Sequence, residues 1–315
     1  MDESDLFCSI DRLTILAEPK NEKRLSWVHR VLKRVLMTEL SDSTNLFVDE
    51  MGDTVMSPYG VAYGVRDEYG EIEFKENLIY CEILERGGYV DLRYDFNPNS
   101  LKKWDVEWVW NVVRNVLDEF GSEYRLSRFD LAIDVINTPE IFELKCTRQG
   151  VTRKLLFGRS GALETIYWGS RQSDVQVRLY NKLKEMKSYE RAELDESIKS
   201  FWRLEMQMRT KKIDRTLAQE FSDRLDGFSL VPVSALDLKP ELKRFAMLLE
   251  SDGDVAVWYP EVDERTLRRW KAKVRKARED FDDDAYRKVL KNALHNQMQD
   301  IKSELDKYVD VYLGF

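Results

Sequence analysis

Up to about residue 97 the chain alternates apolar and polar positions with a period of two, broken by clusters of Gly, Pro and Asp. SIDRLTILAE, VAYGVRD and NLIYCEILERGGYVDLRYDFN are the clearest such runs and predict strands. Ser100 then stands as an N-cap, and Leu101, Trp104, Trp108, Val112, Val116 and Phe120 recur at helical spacing until Gly121. That spacing predicts one helix whose aromatic residues belong to a core. Strands resume with YRLSRFDLAIDVI, KLLFGRSG, ETIYWGS and VQVRLYNK. The charged stretch KLKEMKSYERAELDESIKS predicts a helix or long loop, and FWRLEMQMR a further strand. From about residue 211 the pattern turns helical, with Pro232 and Pro240 marking a connector before three or so helices that reach Phe315. Antiparallel strands with helices segregated beside them predict an α+β fold. The expected division is a sheet domain with flanking helices over residues 1–233 and a C-terminal helical region over 234–315.

Four of the strands are two-faced. Leu92, Tyr94 and Phe96 oppose Arg93, Asp95 and Asn97; Phe129, Leu131, Ile133 and Val135 oppose Arg128, Asp130 and Asp134. Val175, Val177 and Leu179 oppose Gln176, Arg178, Tyr180 and Lys182; Trp202, Leu204, Met206 and Met208 oppose Arg203, Glu205, Gln207 and Arg209. A single strand of this kind is an ordinary half-exposed strand with surface ion pairs. Four in one sheet would gather carboxylates, guanidiniums, an amine and a phenol in one concavity, which suits a divalent cation and a phosphate. Asp130 and Asp134 lie four residues apart, roughly 13 Å along a strand, so both cannot readily ligate one ion held about 2.0–2.6 Å from its oxygens. Asp130 is the preferred ligand, together with Glu205 and with Asp95 as a third candidate; Asp134 is the alternative or a supporting partner. Oxygen ligands of this type imply Mg²⁺ or Mn²⁺.

Composition removes several other classes. No apolar stretch approaches the roughly 18 residues of a membrane helix, and MDESDLFCSIDRL has neither a basic n-region nor an apolar h-region, so no signal peptide is expected. Cys8, Cys81 and Cys146 lack metal-site spacing and read as reduced, inert thiols of a cytoplasmic protein. Two histidines, His29 and His295, exclude a multi-histidine zinc site and a paired-histidine metal strand. No G-x-S-x-G or P-loop sequence occurs, which argues against a serine hydrolase and an ATPase. The net charge of −8 is unpromising for nucleic-acid binding, yet phosphate contacts are local. RTLRRWKAKVRKAR, residues 265–278, is strongly basic and is followed by EDFDDD. It reads as a solvated helix face or as a DNA-backbone contact through Arg268, Arg269, Lys271, Lys273 and Arg275.

The succession R-x-D-x-A-x-D, E-T-x-Y-x-G-x-R-x-S, R-x-Y-N-K and W-R-x-E, with an earlier DLRYDFNPNSL, resembles the Rep_trans family. The resemblance covers roughly residues 90–210 and is weak at both ends. That family contains rolling-circle initiators of small staphylococcal resistance plasmids and is related to relaxases of integrative elements and initiators of filamentous phages. The resemblance implies that Tyr180 is a nucleophile that nicks one strand at an origin hairpin through a 5′-phosphotyrosine and later rejoins it. It implies that Asp130, Asp134 and Glu205 surround the metal. It also implies a homodimer, a PcrA/UvrD-like helicase partner, and origin recognition in the C-terminal region.

A free tyrosine has a pKa near 10, so activation matters. Arg178 and Lys182, two residues to either side, are expected to favour the phenolate. Arg128, Arg171 and Arg203 are candidates for neutralising DNA phosphate. On the strand alone Tyr180 reads equally as a tyrosine whose hydroxyl bonds a neighbour. Tyr167 is placed on a different strand phase, beside the Gly169–Ser170 turn, with a structural role. The competing functions are a conjugative relaxase of the same chemistry, a carboxylate–metal nuclease without a covalent intermediate, and a non-catalytic DNA-binding regulator.

Overall fold

The computed structural model describes residues 5–18, 25–50, 58–86, 89–138, 141, 144–146, 150–188, 196–209, 217–229, 233, 236–250, 255–279 and 285–309. The chain begins β1 (Leu6–Glu18), α1 (Leu25–Glu39), β2 (Leu46–Glu50), β3 (Tyr59–Arg66), β4 (Ile72–Arg86) and β5 (Tyr89–Phe96). Then come α2 (Pro98–Lys103), α3 (Trp108–Glu119), β6 (Glu123–Ile136), β7 (Lys145–Cys146), β8 (Arg153–Phe157), β9 (Leu163–Trp168) and β10 (Val175–Asn181). The remaining elements are α4 (Lys182–Ser188), β11 (Phe201–Met208), α5 (Leu217–Leu225), β12 (Phe228–Ser229), α6 (Pro240–Glu250), α7 (Val255–Trp258), α8 (Glu264–Glu279), α9 (Ala285–Asn296) and α10 (Met298–Tyr308).

Ten strands form one sheet in the order β2-β3-β4-β5-β1-β6-β11-β10-β9-β8, every neighbouring pair antiparallel. All four two-faced strands belong to it, as the α+β expectation required. β1 lies between β5 and β6, so Asp95 is not on a strand adjacent to Asp130. The apolar residues of the central strands, among them Leu13, Tyr94, Leu131, Ile133, Leu179 and Leu204, are fully buried. They pack beneath α1, α3, α9 and α10 in one continuous core. The opposite face carries the charged residues.

The helix expected from Ser100 to Phe120 is two helices. Asn97 caps α2, its side chain accepting from the Asn99 amide, with Pro98 in the first turn. Ser100 therefore sits inside α2, where its hydroxyl donates to Glu76 at 2.7 Å. Asp105, at φ 54°, breaks the run before α3 starts, and the break shifts the helical phase. Val109, Trp110, Val113, Val116 and Leu117 face the core, whereas Trp108 is exposed. Gly121 ends α3 in the left-handed region at φ 61°, as its position predicted.

The C-terminal helices divide between two cores. α9 and α10 contribute Leu290, Leu294, Ile301, Leu305 and Tyr308 to the sheet core. α6 and α8, together with Val233 ahead of α6, make a smaller core of Val233, Phe245, Ala246 and Val274, with Tyr259 and Trp270 packed edge-on against Phe245. Cys8, Cys81 and Cys146 are free thiols, and burial pushes those of Cys8 and Cys81 up to about 12, which keeps them protonated. Among the described residues no helix is long and apolar enough to cross a membrane.

Candidate active site

The charged face is organised by register. Arg178 on β10 stands opposite Glu205 on β11, and Glu205 opposite Ala132 on β6. Ala132 falls midway between Asp130 and Asp134, so its small side chain leaves space between the two aspartates where Glu205 approaches. One row further along, Tyr180 is opposite Arg203 and Arg203 opposite Asp134. Three strands thus bring the phenol, two guanidiniums and three carboxylates onto one surface.

A fourth carboxylate comes from β1. The β1–β6 register passes from Ile10 opposite Leu131 to Arg12 opposite Asp130, leaving Asp11 as an inserted residue. Ile10 and Leu13 are both fully buried, so the bulge turns two consecutive residues, Asp11 and Arg12, to the charged face. They diverge: Asp11 pairs with Arg203, and Arg12 donates through Nε to Asp95 at 2.5 Å. Asp11 was not among the expected site residues. Its signal in the sequence is the odd spacing of Ile10 and Leu13 within an otherwise alternating strand.

Each carboxylate is closed by an arginine. Arg203 holds Asp134 through two nitrogens at 2.5 and 2.8 Å and reaches Asp11 with its remaining terminal nitrogen. It is buried between carboxylates and does not project into solvent as a free phosphate ligand. Glu205 pairs with Arg178. Asp130 is bound by Arg128, whose Nε donates at 2.8 Å. Asp95 is shared by Arg12, Arg93 and the Thr14 hydroxyl. Among the described residues no three His, Cys, Asp or Glu side chains are gathered as a metal cage.

Burial raises the proton affinity of Glu205, Asp130 and Tyr180. Glu205 is pushed up to about 7, first by desolvation and further by Asp11 and Asp130, against the opposing pull of Arg178. Asp130 is raised for the same first reason, with Arg128 opposing. Tyr180, itself buried, is held above its ordinary value by desolvation; Arg203 and Arg178 work in the other direction. At neutral pH the phenol is therefore protonated in this state. Lys182 does not extend the strand face: it begins α4, pairs with Glu185, and places its ammonium 5.8 Å from the centre of the Tyr180 ring. The Arg178 guanidinium lies closer over that ring, at 4.4 Å.

Tyr167 needs a different placement from the expected one. It is opposite Arg178 across β9 and β10, while Ile166 and Trp168 are buried, so Tyr167 shares the charged face. The Gly169 turn, at φ 91°, reverses the chain only after this residue. Arg171 in that turn is exposed, and its carbonyl accepts from Arg209 at 2.7 Å. On α8, Leu267, Trp270 and Val274 face the small core, and Arg268, Arg269, Lys271, Lys273 and Arg275 are exposed. Asp263 caps this helix at the Thr266 amide.

The raised proton affinity of Glu205 predicts a pH dependence. A carboxyl whose folded pKa exceeds its unfolded value contributes stability that is present below about 4.5 and is lost as pH rises through about 7. The loss is on the order of 3 kcal/mol for this group. Urea unfolding in chelator at pH 5 and pH 8 is expected to show this decline, and Glu205→Gln to flatten it. A decline of equal size in the variant would place its origin elsewhere.

No family model matches the chain. Over 124 residues, 39% of its length, the chain is 29% identical to a replication initiation protein of Staphylococcus aureus. A second such protein matches equally, and a third is 29% identical over 125 residues. The matched stretch spans 37–38% of those relatives' own length. Among solved structures, a rolling circle replication initiator protein from Geobacillus stearothermophilus covers 78% of this chain and 96% of its own, with 16% identity and a TM-score of 0.41.

Proposed function

We propose that the protein is a rolling-circle replication initiator that cuts and rejoins one DNA strand, with Tyr180 as the attacking group. The observation that carries the proposal is the shared surface of Tyr180, Arg178, Arg203 and Glu205, set by the register of β10 and β11. The sequence similarity to staphylococcal replication initiation proteins supports the same reading.

In the proposed step the Tyr180 oxygen bonds to phosphorus, the bond from phosphorus to the 3′-oxygen breaks, the phenol's proton departs, and the leaving oxygen gains one. Arg178 and Arg203 favour the phenolate, and Arg178, the more exposed of the two, is the guanidinium that an incoming phosphate would meet. The phosphotyrosine conserves the energy of the phosphodiester. The free 3′-oxygen can then reverse the attack, and no nucleotide hydrolysis is required.

The donors are carboxylate oxygens, the kind a hard divalent cation takes, although in this state each is held by an arginine. Asp11 and Asp130 both raise the proton affinity of Glu205, and a bound cation relieves such repulsion. Glu205, Asp130 and Asp11 are the residues that would hold Mg²⁺ or Mn²⁺, with Arg178, Arg128 and Arg203 yielding these partners and Arg203 keeping Asp134. The ion would stabilise charge on the phosphoryl and departing oxygens. Asp95 serves Arg12 and Arg93, and Asp134 serves Arg203, so both support the arginines around the site. The exposed basic face of α8 is assigned to the DNA backbone.

The test is a gel-stable adduct between the protein and a hairpin oligonucleotide bearing its origin. Adduct is expected with Mn²⁺ or Mg²⁺, not in chelator, and not from Tyr180→Phe. Tyr167→Phe is the companion variant, because that phenol shares the face, and it is expected to retain the adduct. Cleavage without any adduct would instead favour a carboxylate–metal nuclease, and no cleavage at all a DNA-binding regulator.

A further inference from the structure

We infer that Arg12, Arg93, Arg128 and Arg209 form a seat for a backbone phosphate of single-stranded DNA, separate from the phosphate that Tyr180 attacks. The inference rests on the proposed function for its ligand and on four strands for its geometry. Arg93 belongs to β5, Arg12 to β1, Arg128 to β6, and Arg209 directly follows β11. Arg12 and Arg93 clamp opposite oxygens of Asp95, at 2.5 and 2.6 Å. Arg12 is opposite Asp130, which Arg128 binds. Met208 is opposite Phe129, so the next position in the register sets Arg209 beside Arg128.

The depth of these groups decides their role. The carboxylates lie at the floor: the Asp95 side chain is 2% exposed and that of Asp130 1%. The guanidiniums sit above them, at 46% for Arg12, 28% for Arg93 and 17% for Arg128, and Arg209 is exposed. Arg12 engages Asp95 through Nε, and among the described residues its terminal nitrogens show no hydrogen bond. At this end of the face four guanidiniums meet three carboxylates, Asp95, Asp130 and Glu82, a local excess of one positive charge. The balancing carboxylate lies at the other end, where Arg203 meets both Asp134 and Asp11. Arg209 is lowered from its ordinary value by partial burial and by the fields of Arg128, Arg12 and Arg93, against the opposing field of Asp130, and an anion would relieve that repulsion. Such a layer, anchored from below and donor-rich above, matches a phosphodiester.

The location sets a path for the strand. Arg203, opposite Tyr180, and Arg209 are six residues apart, which is about 20 Å along β11. A single strand lying along β11 would cross Glu205 and Asp130 between its reacting phosphate and this seat. Arg209 is tied to the adjoining turn through the Arg171 carbonyl, which accepts from one of its terminal nitrogens. The basic α8 face is a different surface and is not needed for this contact.

Arg209 is the residue to change, because its side chain is exposed and its replacement leaves Asp95 and Asp130 paired. Binding of an oligothymidylate about 20 nucleotides long would be followed by fluorescence anisotropy across a salt series. The Tyr180→Phe protein would be compared with its Arg209→Ala, Arg209→Glu and Arg209→Lys derivatives, all without metal. Arg209→Ala is expected to bind about 3–10-fold more weakly and to lose about 0.7 from the slope of log affinity against log salt, the amount for one single-strand phosphate. Arg209→Glu is expected to lose more, and Arg209→Lys to recover most of the slope. An unchanged affinity and slope in Arg209→Ala would overturn the seat. That result leaves Tyr180 untouched, because the adduct assay judges the nucleophile separately. Absence of oligothymidylate binding by every protein would remove the seat too.

Discussion

Arg203→Ala is expected to lower the unfolding free energy by about 3–5 kcal/mol, the range for removing one partner of a buried ion pair. Arg203 is buried and carries three hydrogen bonds to two aspartates, two to Asp134 and one to Asp11. Their side chains are only 14% and 13% exposed, so neither carboxylate can recover its hydration when the guanidinium goes. Urea unfolding at pH 8 reads the loss. A double change, Arg203→Ala with Asp134→Ala, should recover part of it by removing one stranded charge. The same substitution takes from Tyr180 the cation that most lowers its proton affinity. Adduct formation should therefore slow even at a temperature where the variant remains folded. Arg203→Lys keeps a charge but not the two-sided fork, and is expected to fall between. A stability change below about 1 kcal/mol for Arg203→Ala would show that water replaces the guanidinium at little cost.

Trp110→Ala is expected to cost a similar amount, about 3–5 kcal/mol, for a different reason. The indole is fully buried beneath the sheet, 4.9 Å from the Phe96 ring and 5.7 Å from that of Tyr94. Its N–H donates to the Tyr308 carbonyl at 3.0 Å, joining α3 to the end of α10. Truncation leaves a cavity against β5 and strands that carbonyl. Because the opposite face of β5 holds Arg93 and Asp95, loss of this support is also expected to loosen the charged surface. Trp110→Phe retains most of the apolar volume and should lose only about 1–2 kcal/mol, largely the hydrogen bond. Thermal or urea unfolding of the two variants separates the terms; equal losses would mean that the hydrogen bond, not the packing, dominates.

The sequence disclosed the sheet most clearly where alternation was uninterrupted. β5, β10, β11 and the part of β6 from Arg128 onward each keep a period of two, and so Asp130, Tyr180, Arg203 and Glu205 were legible as residues of like-facing strand surfaces. It failed where a local irregularity reset the phase. The bulge in β1 hid Asp11 and Arg12, because an inserted residue makes two consecutive side chains share a face. Asp105 split a helix whose apolar spacing continued across the break, and so Trp108 was assigned to the core in place of Trp110. Tyr167 was placed on a different phase, whereas the pairing of β9 with β10 sets it opposite Arg178, a register that neither strand's own pattern contains. Arg209 was legible as a face residue of its strand, but its convergence with Arg12 and Arg93 depends on strand order. No single strand contains that information: β1 enters the sheet between β5 and β6, more than 70 residues away in sequence from β5 and more than 100 from β6.

The placement of Tyr180 is tested most directly by mass spectrometry of the protein–DNA adduct after protease and nuclease digestion. A residual nucleotide is expected on the peptide containing Tyr180, bonded through the phenolic oxygen. Finding it on Tyr167 or on any other residue, in protein that cleaves its origin normally, would contradict the proposed mechanism.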